Sequence, residues 1–181
     1  DKEVLKQYRQ EVKEWSNYST QVAKYDYYAS ANWISIPNIH VRQIAEDIPF
    51  LKKNGFLGLG KGEMEENWAT GGLNYYVAAR LLWKSDLALD RIIDDYCGKG
   101  FGKGAQAMKK YFSFLEQIAD EMPLKEKEAK RRSGMNVLPL LFTEEKLKKC
   151  REYLDEALRT ADTEEDRKRI RFIEKGYMYT D

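Results

Sequence analysis

The chain has 181 residues, 43% of them apolar and 34% charged, and its 31 basic and 30 acidic side chains leave a net charge of +1. That composition can pack a core, and it excludes a disordered chain, a globally basic nucleic-acid binder and an acidic tail protein. One histidine, His40, and two cysteines, Cys97 and Cys150, are too few for a zinc site of the multi-His or multi-Cys kind, so no metal and no cofactor are expected. No apolar run reaches the roughly 18–20 residues that a membrane span needs. The chain opens on Asp1 rather than Met and turns helical at once. It therefore reads as a piece of something longer, with no signal or transit peptide in the sequence at hand.

Residues 3–18 read as an amphipathic helix, because Val4, Leu5, Tyr8, Val12 and Trp15 recur at steps of three and four. Residues 21–29 are short, aromatic and β-branched, and read as a strand. Its alternation puts Lys24, Asp26 and Tyr28 on one face and Ala23, Tyr25 and Tyr27 on the other. Residues 39–54 read as one helix or two short ones. Val41, Ile44, Ile48 and Leu51 form the stripe, Pro49 interrupts, and Asn54-Gly55 is the stop. The next strand is 56–60. Strand, helix and strand in that order predict a right-handed βαβ unit with parallel strands.

Residues 61–69 read as a loop and 71–84 as a helix. No strand follows. Helices are expected at 88–97 and 105–122, with GKGFGKG at 98–104 as a flexible connector and 123–142 irregular. Thr143 and Thr163 are placed to cap the last two helices. The fold class expected is α/β in residues 1–84 and all-helical in residues 85–181, mostly helical overall.

Three motifs bear on chemistry. GFLGLGKG at 55–62 is a near miss to a phosphate-binding loop, with Gly62 where a Ser or Thr would hold Mg²⁺ and with Glu63, Glu65 and Glu66 close by. A tight strand end that needs small residues is the simpler reading. The basic stretch from Lys125 to Arg132 carries Glu126 and Glu128 and no aromatics, which suits a solvated face better than a nucleic-acid patch. His40 opens a helix after a loop, where a surface or capping role is expected.

The strand ends are the most informative place. Ligand sites of parallel sheets and barrels lie at the carboxyl ends of strands. Asp26 sits near the end of the first strand, and Glu63 and Glu65 follow the second. Neighbouring parallel strands are about 5 Å apart, so such acids can reach the roughly 5–9.5 Å separation that glycoside hydrolysis uses. Tyr28, Trp33 and Trp68 could then stack on sugar rings. The plain alternative is exposed loop acids and core tyrosines.

Residues 66–116 carry a more specific pattern. It is L-x-x-Y-x-x-A-[KR]-L-L-W at 73–83, then D-D-Y at 94–96, a Gly-rich joint, and M-x-x-Y-[FY] at 108–112. This resembles an uncharacterised bacterial family with a glycoside-hydrolase-like (β/α)₈ barrel, near the family 67 α-glucuronidases and, more distantly, the family 20 hexosaminidases. The resemblance implies the last βα units of a TIM-type barrel followed by a helical region. It also implies a carbohydrate-active, exported protein that works by carboxylate acid/base chemistry on an oligosaccharide or polysaccharide. Asp26 and Glu63 would be base or water-orienting carboxylates, and Tyr28, Trp33, Glu65 and Trp68 would contact the sugar. A full barrel takes roughly 250 residues, so the partner implied is the remainder of the barrel, the general acid would lie upstream, and the fragment alone would be inactive. A reading of another class is a non-catalytic helical module that binds glycan or a protein.

Overall fold

The computed structural model describes residues 2–26, 36–60, 68–122 and 134–178. The apolar steps of the first segment form helix α1 (Lys2–Tyr18). Strand β1 (Ala23–Tyr25) follows, then α2 (Val41–Lys53) and β2 (Gly58–Gly60). The two strands are parallel, with Ala23 opposite Gly58, Lys24 opposite Leu59 and Tyr25 opposite Gly60. The predicted βαβ unit is therefore present. Both strands are shorter in the described residues than their sequence windows, and residues 27–29 of the first window lie outside them.

Helix α2 runs straight through Pro49 as one element. Its C-terminus is closed by Gly55 at φ 81°. The Gly55 N–H donates to Lys52 O and the Phe56 N–H to Leu51 O, at 3.1 Å each. These are the two bonds of a Schellman motif, which needs a left-handed residue at this point. The N-terminus is closed from elsewhere. His40 occupies the capping position without a side-chain cap bond. Instead the Arg42 N–H donates to Glu116 Oε1 at 2.8 Å, across 74 positions of sequence.

The remainder is helical: α3 (Trp68–Trp83), α4 (Leu89–Phe101), a 3₁₀ turn at Gly102–Gly104, α5 (Ala105–Asp120), α6 (Gly134–Leu141), α7 (Glu144–Thr160) and α8 (Glu164–Tyr177). Among the described residues the chain is mostly helical, and no strand follows β2. Thr143 and Thr163 cap α7 and α8 as predicted, accepting from the N–H of Lys146 and of Asp166.

Three expectations change. Trp68 and Ala69 belong to α3, not to the loop before it. Residues 134–141 are helical rather than irregular. The 98–104 segment is not a flexible connector: α4 continues to Phe101, and the tight turn after it is packed. Gly102 adopts φ 51°, and a Cβ there would lie 2.5 Å from Asp166 Oδ2. At Gly104 a Cβ would lie 2.9 Å from the Ala157 carbonyl oxygen. The glycines let the turn seat against α7 and the start of α8, a tertiary demand that looks like looseness in sequence.

One apolar core runs from Ile39 to Tyr177 and draws on α2 through α8, so the segments divided at residue 84 share it. Helix α3 packs on α2 at one side and on α8 at the other, and α5 packs on α7. Leu59 leans on this core from β2. Tyr25, on the opposite face of the sheet, is 60% exposed. The core side of the sheet is thus the α2–α3 side.

Candidate functional site

The carboxyl end of β1 gathers polar side chains from three elements. Lys24 and Asp26, two apart on one strand face, form an ion pair at 2.5 Å. Lys24 Nζ also lies over the Tyr8 ring of α1, 4.5 Å from its centroid. Burial opposes the charge on Lys24, but hydrogen bonds to Asp26 and Tyr8 outweigh it and raise the lysine above its ordinary value. Asp47 of α2 is buried. Desolvation raises it, against the pull of Lys24 and with the push of Asp26. Burial likewise raises the Tyr8 hydroxyl.

On the next side stands His40, half-buried at the head of α2. Its backbone N–H donates to Asn74 Oδ1 at 3.2 Å. Asn74 Nδ2 donates to the Asn38 carbonyl at 2.7 Å and faces His40 Nδ1 at 3.3 Å. Asn74 is fully buried within α3, so this amide ties residues 38–40 to α3. Burial pushes the imidazole down, while the Asp26 charge and the Asn38 carbonyl pull less strongly upward.

Of the six residues singled out from the sequence, Asp26 and Trp68 are among those described, while Glu63, Glu65, Tyr28 and Trp33 lie outside them. Asp26 is engaged by Lys24. Trp68 is the first residue of α3, and its ring packs edge-on against Tyr75, 5.3 Å between centroids. Four residues of the cluster were not singled out: Lys24, Asp47 and Asn74, and His40 in an inward-facing role. Asn74 had a readable signal, being an amide on the apolar stretch between Thr70 and Arg80 of α3; a polar residue at a core position asks for partners, though sequence does not say which. His40 does not use its ring as a cap, because the ring faces the Asn74 amide instead. Among the described residues no group of three or more His, Cys, Asp or Glu side chains could hold a metal ion, and no helix is long and apolar enough to cross a membrane.

The chemistry on offer is therefore a carboxylate, an ammonium and an imidazole at the end of a parallel strand. They sit on a largely helical scaffold. Residues 1–113 match the family described as DUF4838, a domain of unknown function, and the chain belongs to that family. No curated protein and no solved structure matches it.

Proposed function

We propose that this chain is the late βα portion of a glycoside-hydrolase-like barrel together with its helical appendage, in a carbohydrate-active protein that works outside the cytoplasm on an oligosaccharide or polysaccharide. The observation that carries the reading is the parallel β1–β2 pair with α2 as its crossover and a charged cluster at its carboxyl end. Parallel strands occur almost only within larger sheets flanked by helices, and their ligands bind at this end. The remainder of such a barrel would be the chain's partner. In this reading Asp26 is a base or water-orienting carboxylate, with Glu63 as the second acid. Tyr28, Trp33, Glu65 and Trp68 are the sugar contacts. The test is Asp26→Asn in the full-length protein that carries this chain, assayed on a polysaccharide that this protein cleaves. A fall in kcat of about 10²-fold or more is expected for a general base. Undiminished turnover removes Asp26 from the chemistry.

A second reading is favoured by one observation: Asp26 is held by Lys24 on the strand face that looks toward Tyr8 and α2. A carboxylate so engaged suits a non-catalytic module that binds glycan or a protein. Calorimetric titration with oligosaccharides separates the two, since binding without turnover in the full-length protein supports the module.

A further inference from the structure

The bonds around Asn74 do more than fasten a loop. Both ends of its amide are committed to backbone. Oδ1 accepts from the His40 N–H, and Nδ2 donates to the Asn38 carbonyl. The amide therefore cannot turn over without losing both bonds, and its second N–H is fixed toward His40 Nδ1 at 3.3 Å. That contact is a hydrogen bond only while Nδ1 is an unprotonated acceptor. Once the imidazole is doubly protonated, two N–H donors face each other in a place where neither can turn away.

The rest of the surroundings sharpen this. His40 stands at the capping position of α2, where the helix presents its positive end and disfavours a cation. The Asp26 charge and the Asn38 carbonyl, which lies within the fastened segment itself, act on the ring in the opposite sense, and the group that α3 sets against it is the uncharged Asn74 amide.

We propose that His40 and Asn74 form an acid-sensitive latch. The neutral imidazole holds residues 38–40 and the start of α2 against α3, and the protonated imidazole releases them beside Asp26. The inference is independent of what the site binds. The neutral form is the one that the fold prefers, so the latch is closed above the ordinary histidine value of 6.5. Its contribution to stability is lost as pH falls from there through the lower folded value.

His40 is the only histidine of the chain, so its ring signal needs no assignment. Across a pH titration of the intact chain, the Cε1–Hε1 resonance should show a midpoint below 6.5. Through the same range the His40 amide, corrected for intrinsic exchange, should lose roughly tenfold of its hydrogen-exchange protection, the worth of one lost hydrogen bond. His40→Asn keeps an acceptor near the Nδ1 position but takes up no proton. Its amide protection should be flat over that interval. A midpoint at or above 6.5, protection that ignores the midpoint, or an unchanged pH dependence in His40→Asn would each overturn the latch.

Discussion

The helical part and the strand part of this molecule are held by different forces. From α3 to α8 the interior is mainly apolar. Leu73, Val77, Met108, Ile118, Leu154 and Ile170 are all essentially inaccessible, and Tyr96, Phe101 and Phe112 meet as a ring cluster at centroid distances of 5.8–6.2 Å. Around β1, by contrast, Asp47 is buried and Lys24 and His40 are half-buried, while Trp15, Tyr25 and Leu57 stand at 61%, 60% and 71% exposure. Burial of apolar area stabilises without needing a partner of set geometry. Buried charge does so only while each hydrogen bond and ion pair is kept. The helical part is therefore built to stay folded, and the strand part is built to hold charges in place.

The largest expected effect tests that contrast directly. Leu154→Ala in α7 should cost about 3 kcal/mol, because a fully buried leucine leaves a cavity. Tyr25→Ala on the open face of the sheet should cost under about 0.5 kcal/mol. Urea unfolding of both variants checks this, and equal losses would erase the distinction. Next comes the seam between α3 and α8. A Cβ on Gly176 would lie 2.7 Å from Thr70 Cγ2 and 3.2 Å from the Ala69 carbonyl group. Gly176→Ala should therefore lower stability by about 1–3 kcal/mol through overpacking, measured by thermal melting.

The smallest effect is a pH term. Asp47 is raised above the unfolded value of 3.8 by desolvation. A raised carboxylate contributes most below its unfolded pKa, and that contribution is lost as pH climbs through the folded one. Asp47→Asn lacks this loss. Relative to the wild type it should gain stability from acidic to neutral pH, and a melting series across that range reads the difference. A constant offset would mean that Asp47 does not carry the pH dependence.

What could be read from residues alone follows the range of the interactions. The starts of α7 and α8 are legible because Thr143 and Thr163 bond three positions ahead. The end of α2 is legible because Gly55 and its Schellman bonds are equally local. The parallel pairing was inferred correctly from element order. The packed turn at 102–104 was missed because its cause, Asp166 and Ala157 pressed against glycine, lies more than fifty positions away. Asn74 was missed for the same reason: its partners are 34 and 36 residues distant. At the candidate site, Asp26 is singled out by its place at a strand end. The pairing that engages it is not, because sequence alternation puts Lys24 on the same face without saying that the two will meet.

The bond from Glu116 to the first turn of α2 has a bearing on how the chain can be cut. Arg42 contributes its backbone N–H and its Nε to that one carboxylate, at 2.8 and 2.9 Å, and a further nitrogen to Asp120 at 2.6 Å. All three bonds end on residues beyond position 113, where the family match stops. So does the seat that Gly176 offers to the head of α3. A protein trimmed to the matched segment would keep both strands and lose the clamp on the helix between them. The family match ends inside α5, whereas the packed core runs on to Tyr177, so a cut at 113 would divide both a helix and the core.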